Sequence, residues 1–443
     1  MKFYDLKFHN HFEKLGDDFF QKSSPTSLRN QLISVISTKA AALLDLDISE
    51  ISLQNLESEK FCNLAQSYAG HQFGHFVPIL GDGRATLLAQ VTNNKNESWD
   101  LVLKGCGLTP FSRPYVQNAD GRAVLRSSIR EFLISEHMAA LGIPTSRALC
   151  LITSNELVMR EIPEKAGQII RLAPSHIRFG TFEYFFYRKE YKNVRKLSDY
   201  CIEHYFSNCR NYGDLLKEIT ISTAKMIAKW QAFGFCHGVM NTDNMSIHGI
   251  TFDYGPFGFL DEFNPYHICN HSDQMGRYSF INQPQIGFWN LNALAITFSN
   301  LISMEEIKEI LENYQNIFFE EYHKLMATKL GFERVDEEVK KEIYRTLNQL
   351  EVDKKDYTIF FSDLTKLQKD PQKKKLMESV NPKLILRNYL LQNAISKAEN
   401  GDFSEVKKLL EIMQKPFDEQ PEFEEYTKLP PSWVKDLCIS CSS

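Results

Sequence analysis

Between His237 and Gly255 the chain brings together four side chains that could do chemistry: the imidazole of His237, the primary amide of Asn244 and the carboxylates of Asp243 and Asp253. Asn244 and Asp253 offer hard oxygen atoms, the donors that Mg²⁺ or Mn²⁺ takes when it bridges phosphates. Asp243 is a carboxylate able to accept a hydroxyl proton, a task that needs it within ~3 Å of the nucleophile. His237 reads as a hydrogen-bonding residue of the framework in preference to a general base. Cations that could grip phosphate lie elsewhere. Arg84 closes the run Leu80-Gly81-Asp82-Gly83-Arg84, Lys104 closes Trp-Asp-Leu-Val-Leu-Lys, and Arg171 and Arg178 stand seven apart. Three guanidinium groups, a lysine and divalent-ion ligands suit chemistry on a polyphosphate.

The order of these groups follows a known template. Protein kinases carry His-Arg-Asp-x-x-x-x-Asn and then Asp-Phe-Gly. His237 and Asn244 keep that spacing, and Asp253-Tyr254-Gly255 stands for the second segment. The position of the kinase base, however, is Val239, which cannot take a proton. Asp243 is the nearest substitute. On the same template Lys104, ending a strand over 99–104, pairs with a glutamate on the next helix. The pattern predicts that helix over 127–141, stopped by Gly142 and Pro144, with Ile129, Phe132 and Leu133 on its apolar face and Glu131 in its first turn. A capping box of Ser128 and Glu131 would use the same residue types. Asp120-Gly121-Arg122 either faces a nucleotide or forms a turn. Gly81 and Gly83 let backbone N–H groups approach phosphate, although Asp82-Gly83 also suits a hairpin. Arg171 and Arg178 share a face if their stretch is helical, where a solvated face competes with a polyphosphate site. A buried helix with Leu215, Ile219, Met226 and Trp230, capped by Asp214, delivers the chain to His237.

Composition sets the class. The 443 residues are 43% hydrophobic and 24% charged, as in an ordinary globular protein, and the formal net charge of −5 argues against nucleic-acid binding. No apolar run approaches the ~20 residues that span a bilayer, and the first residues lack a signal-peptide pattern, so a cytoplasmic location is expected. Nine cysteines show neither zinc spacing nor a disulfide framework. The expected fold class is α+β, a two-lobed protein-kinase-like fold. Its parts are an N-terminal extension (1–65), a smaller lobe (66–165) ending at a hinge near Pro163 and Gly167, and a larger lobe (166–300) with the catalytic and metal loops. A helical extension (301–420) and a C-terminal strap with a cysteine tail (421–443) follow.

Several longer phrases carry a family resemblance: residues 68–74, 80–84, 102–107, 127–133, 237–246, 253–258 and 269–280. In that order they resemble the selenoprotein O family, kinase-fold protein adenylyltransferases, from about Gly70 to the C-terminus. The stretch between Arg113 and Asp120 departs from the pattern through a longer connection. The resemblance implies that ATP binds flipped, with its α-phosphate exposed, and that AMP passes to Ser, Thr or Tyr hydroxyls of protein substrates; some members transfer UMP from UTP. It assigns nucleotide contacts to Gly81, Gly83, Arg84, Lys104, Asp120, Gly121, Arg171 and Arg178. It pairs Lys104 with Glu131, gives Mg²⁺ or Mn²⁺ to Asn244 and Asp253, and makes Asp243 the proton acceptor. Two readings compete: a kinase transferring the γ-phosphate, and an inactive nucleotide-binding scaffold, to which Val239 points. Cys441 stands where some members carry selenocysteine, and a regulatory disulfide with Cys269 is a further expectation.

Overall fold

The computed structural model describes residues 2–113, 119–437 and 439. Its strands, in chain order, are β1 (Lys7–Phe8), β2 (Phe20–Lys22), β3 (Leu32–Ile36), β4 (Leu64–Gln66), β5 (Gly70–Gln72), β6 (His75–Val77), β7 (Ala85–Thr92), β8 (Ser98–Lys104), β9 (Ala123–Val124), β10 (Arg147–Met159), β11 (Pro163–Ala173), β12 (Phe235–Cys236) and β13 (Gly258–Phe259). Nine form one antiparallel sheet in the order β2-β4-β7-β8-β11-β10-β3, with β1 on β7 and β9 on β11. Residues 1–65, expected as an extension, therefore supply strands to the main sheet. Register decides where the cations point. Lys104 pairs with Ile169 and Val102 with Arg171. Cross-strand partners share a face and side chains alternate, so Lys104 and Arg171 emerge on one side as diagonal neighbours.

The helices are α1 (Thr38–Leu43), α2 (Leu125–Ala140), α3 (Phe179–Tyr187), α4 (Tyr191–His204), α5 (Tyr212–Phe233), α6 (Gln283–Ile296), α7 (Met304–Glu312), α8 (Tyr314–Lys329), α9 (Glu337–Val352), α10 (Tyr357–Leu367), α11 (Pro371–Glu378), α12 (Asn388–Glu399) and α13 (Ser404–Met413). Helix α2 buries Ile129, Phe132 and Leu133 against the sheet. It begins two residues before the expected start, which places Glu131 in the second turn. Ser128 Oγ donates to the Val124 carbonyl at 3.1 Å, so no capping box forms. The hinge expected at Pro163 and Gly167 is absent as well: both residues lie inside β11, half of an antiparallel hairpin with β10. Pro163 is tolerated as the first residue of a strand. A Cβ at Gly167 would sit 2.9 Å from Leu125 Cα, so this glycine marks a close approach of sheet and helix and not a break.

Helix α5 buries Leu215, Ile219, Met226 and Trp230 and carries the chain to His237. Its cap is Asn211, whose side chain accepts from Asp214 N at 2.8 Å, in place of the expected Asp214. Gly234 ends it in the left-handed region (φ 69°). Pairing of β12 with β13 then closes residues 237–257 into a loop that returns to its origin. Near the C-terminus, α13 locks onto α2 where His137 Nδ1 donates to Met413 O at 3.0 Å. Short 3₁₀ turns at Pro421–Thr427 and Ser432–Asp436 stand where an extended strap was expected. Cys269 is buried, while Cys438 and Cys441, and with them the anticipated disulfide, lie outside the described residues. Among the described residues no helix is long and apolar enough to cross a membrane.

One close contact ties the two halves. A Cβ on Gly180, in the first turn of α3, would lie 2.0 Å from Ala69 O and 3.4 Å from Asp243 Cα. Backbone must move to admit it. Gly180→Ala is therefore expected to destabilise the protein by about 1–3 kcal/mol, read as a lowered midpoint in thermal or urea unfolding.

Candidate active site

The sheet face bearing Lys104 and Arg171 meets the 237–257 loop across a cleft of ≈ 670 Å³. At its floor, cations and carboxylates interlock. Lys104 Nζ bonds Glu131 Oε2 and lies 3.6 Å from Asp253 Oδ1. Arg171 Nη1 reaches Glu131 Oε1 at 3.3 Å and also bonds Asp253 Oδ1. Arg178 Nη1 donates to Asp253 Oδ2 and to the Asp243 carbonyl, each at 2.8 Å. The Arg178 guanidinium is sandwiched by the rings of Tyr68 (4.2 Å) and Phe252 (4.8 Å), a placement that favours a desolvated cation. Burial alone would raise the Asp253 carboxyl, but Arg171, Arg178 and Lys104 hold it well below the usual range. Burial pulls the Lys104 ammonium down, with Glu131 opposing.

The two arginines do not share a helix face. Arg171 lies in β11 and Arg178 is the residue before α3, with extended backbone. They converge because strand and helix end meet at Asp253, which itself adopts a left-handed conformation (φ 56°) that Asp tolerates better than most residues.

Asp243 sits in a slot built by the β5–β6 hairpin. Gln72 Nε2 donates to its Oδ2 at 3.2 Å. Its Oδ1 is buried without a hydrogen-bond partner among the described residues. A Cβ on Gly70 would come within 2.7 Å of that oxygen. Burial pushes the Asp243 carboxyl up to about 6, with Gln72 and Arg178 opposing. Behind it, buried Glu183 accepts from Thr242 Oγ1 and pairs with His71 Nδ1, while His71 N donates to Thr242 Oγ1 at 2.7 Å. Asn244 Nδ2 donates to Val239 O at 3.1 Å, which fixes the orientation of its amide. His237 is a framework residue: it is buried, its Nε2 donates to Phe252 O at 3.2 Å, and burial pushes its imidazole down to about 4.

The opposite wall holds the glycines. Gly81 (φ 64°) packs so closely on Phe111 that a Cβ would meet its ring at 2.2 Å, and Gly121 (φ 70°) stands 1.9 Å, by the same measure, from Gly107 O. Gly83 and Arg84 follow on the same wall, and burial lowers the Arg84 guanidinium, opposed by Glu131. Asp120 is gripped by Arg160, whose Nη2 and Nη1 lie 3.0 and 3.1 Å from its two oxygens. Thus Gly81, Gly83, Arg84, Lys104, Asp120, Gly121, Arg171, Arg178, Asp243, Asn244 and Asp253 all line one cleft, and Glu131 stands behind Lys104 and Arg171.

Sequence reading missed Arg160, Tyr68, Gln72 and Glu183 as parts of this site. Tyr68 and Gln72 fall inside the glycine-rich phrase, which was the available signal. Arg160 and Glu183 carry none, because their partners are 40 and 59 residues away. Among the described residues no group of three or more His, Cys, Asp or Glu side chains gathers as a metal site. A divalent ion at Asn244 and Asp253 would depend on a ligand's phosphates for further oxygens.

A cleft lined by Arg84, Lys104, Arg171 and Arg178, with the buried Asp243 carboxylate at its side, suits a polyphosphate ligand. Comparison with known proteins agrees. The family model described as protein adenylyltransferase SelO matches residues 2–376. The chain is 45% identical to "Protein nucleotidyltransferase YdiU" of Pseudomonas fluorescens (strain SBW25), over 99% of each chain. It is also 45% identical to the protein of that name from Pseudoalteromonas atlantica, over 98% of this chain and 99% of the other. The Ectopseudomonas mendocina relative is 43% identical over 99% of each. The chain is a nucleotidyltransferase. It belongs to the SelO family of protein adenylyltransferases.

The interlocked charges make Glu131 a sensitive point. Glu131→Gln leaves Lys104 and Arg171 buried with one fewer counter-charge and is expected to cost about 3–5 kcal/mol of stability, measured by chemical unfolding of the nucleotide-free protein.

Proposed function

We propose that the cleft binds ATP with Mg²⁺ or Mn²⁺ and transfers AMP to a Ser, Thr or Tyr hydroxyl of an acceptor protein. The observation that carries this reading is Asp243, a buried carboxylate with one unpartnered oxygen beside a cleft lined by Arg84, Lys104, Arg171 and Arg178. The acceptor O–H donates its proton to Asp243 as its oxygen attacks the α-phosphorus. A P–O bond then breaks and pyrophosphate leaves. The cationic side chains neutralise charge on the reacting phosphorus and on the leaving group, and the walls of the cleft fix alignment. Asn244 and Asp253 would hold the divalent ion, which when bound screens the phosphate oxygens from one another. Phosphate oxygens would then take over part of the pairing that Asp253 now gives to Lys104, Arg171 and Arg178.

Two features support the flipped orientation of ATP. Val239 occupies the position where a kinase holds its base, and the deepest cations adjoin Asp253, so the terminal phosphates belong at the floor and the α-phosphate towards Asp243. A kinase-like division of labour accords with this reading: the sheet and α2 carry Lys104 and Glu131, and the helical part carries the two loops. The relatives named protein nucleotidyltransferase support a protein acceptor.

Labelled ATP tests the proposal. Label on the α-phosphate should pass to protein and label on the γ-phosphate should not; transfer from γ alone would mean a kinase, and transfer from neither a scaffold. Unlabelled UTP added as competitor reports whether UMP is also a donor. Asp243→Ala should retain ATP binding and lose transfer by about 10²–10⁴-fold. Asn244→Ala and Asp253→Ala should instead weaken metal-dependent nucleotide binding, measured by calorimetry with and without the ion.

A further inference from the structure

The carboxylate of Asp243 is held from outside its own loop. In the short strand β5, Gly70 and Gln72 face it: Gln72 Nε2 donates to Oδ2 at 3.2 Å, and the missing Cβ of Gly70 leaves room for Oδ1. Side chains alternate along a strand, so His71 between them points the other way. There its Nδ1 pairs with one oxygen of Glu183, in helix α3. The other Glu183 oxygen accepts from Thr242 Oγ1, on the residue just before Asp243. Thr242 Oγ1 in turn accepts from His71 N at 2.7 Å, and Phe73 N donates to Asn241 Oδ1 at 3.2 Å. Glu183 thus grips the hairpin and the loop at once.

Charge sets the direction of these bonds. A carboxylate only accepts, so Thr242 spends its single O–H on Glu183 and keeps its lone pairs for the His71 amide. The His71 ring must likewise present Nδ1 as a donor. Glu183 is fully buried, and its ion-pair partner among the described residues is His71. Taking a carboxylate out of water is costly, and the apolar packing of α3 is already supplied by buried Phe179, Phe182 and Phe185. None of Glu183, His71 and Thr242 is among the residues that line the cleft.

We propose that Glu183 is a positioning residue for the transfer step. By directing the Thr242 hydroxyl and the His71 ring, it fixes the hairpin against the loop and holds Asp243 where it can take the acceptor's proton. The inference rests on the reading of Asp243 as proton acceptor given above.

The test uses the full-length protein, ATP labelled on the α-phosphate, Mn²⁺, and casein as an unfolded acceptor, with transfer to the enzyme itself counted as well. Glu183→Gln keeps the shape but puts an N–H where an acceptor was, so it cannot satisfy His71 and Thr242 together. It should lower kcat by about 10²-fold, the scale of a ~1 Å misplacement, while KM and calorimetric affinity for ATP stay within about twofold. Thr242→Val should behave alike, and Thr242→Ser, which keeps the hydroxyl, should recover most of the loss. In an Asp243→Ala background Glu183→Gln should cost nothing further, because it acts through the carboxylate already removed. The proposal is overturned if Glu183→Gln, with parental melting, transfers at the parental rate or raises KM in place of lowering kcat. It is equally overturned if Glu183→Gln cuts the residual transfer of Asp243→Ala by the same factor as in the parent. If Glu183→Gln melts early, the Thr242 pair decides, and an equal loss in both variants or a loss in neither overturns the proposal. Parental transfer by Asp243→Ala, or no transfer of α-phosphate label by the parent, would instead bring down the reading of Asp243 on which Glu183 depends.

Discussion

The site rests on a buried ionic knot: Lys104, Arg171 and Arg178 held by Glu131 and Asp253, with Asp82 a further 3.9 Å from Arg178. Removing such charges from water costs several kcal/mol per ion unless the geometry returns it. Here the return is divided among partners on six separate segments, namely β8, α2, β11, the residues leading into α3, the β6–β7 connection and the 237–257 loop. No single segment could retain its charged residue alone. The sheet, the helix laid over it and the 237–257 loop are therefore coupled by the electrostatics of the site, and the same coupling keeps the cations aimed into the cleft. Attraction to a polyanion is strong in such a place because solvent screening is weak.

Close backbone approach is the second constraint. Gly167 brings α2 down to β11, Gly180 brings α3 to Ala69, and Gly70 leaves room for the Asp243 carboxylate. Each glycine sits where two elements distant in sequence come into contact, one of them an element carrying a site residue. Their value lies in the missing Cβ more than in conformational freedom, since Gly167, Gly180 and Gly70 are not among the glycines with positive φ. Gly81 and Gly121 combine both needs, a left-handed backbone and no room for a side chain.

Much of this was legible in the chain, and the failures have a common cause. The strand ending in Lys104 and the helix carrying Glu131 are strong local patterns, and the kinase template supplied their pairing. The 237–255 segment was legible because its spacing survives even though its central residue has changed to Val239. Arg171 and Arg178 were misplaced because a separation of seven suits a helix, while the actual stretch crosses from β11 through a turn into α3. Pro163 and Gly167 read locally as a hinge, but pairing with β10 and β9 overrides the local signal. Arg160 and Glu183 left no trace, because their meaning comes only from partners brought close by folding.

The same geometry narrows which group can act as proton acceptor. His237 has the familiar position but is buried, stacks 5.3 Å from Trp230 and spends its Nε2–H on the Phe252 carbonyl. Asp253 is a carboxylate in the cleft, yet three cations hold its proton affinity far too low for the task. Asp120 is claimed by Arg160 on both oxygens, and Asp82 accepts from Gln66 N at 3.0 Å in a buried turn. Asp243 differs from all of these. Burial raises its proton affinity, Arg178 is engaged with its backbone carbonyl and not its side chain, and one buried carboxylate oxygen has no hydrogen-bond partner among the described residues. A valine at position 239 is compatible with the proposed transfer, because the carboxylate suited to accept a proton stands four residues further along the same loop.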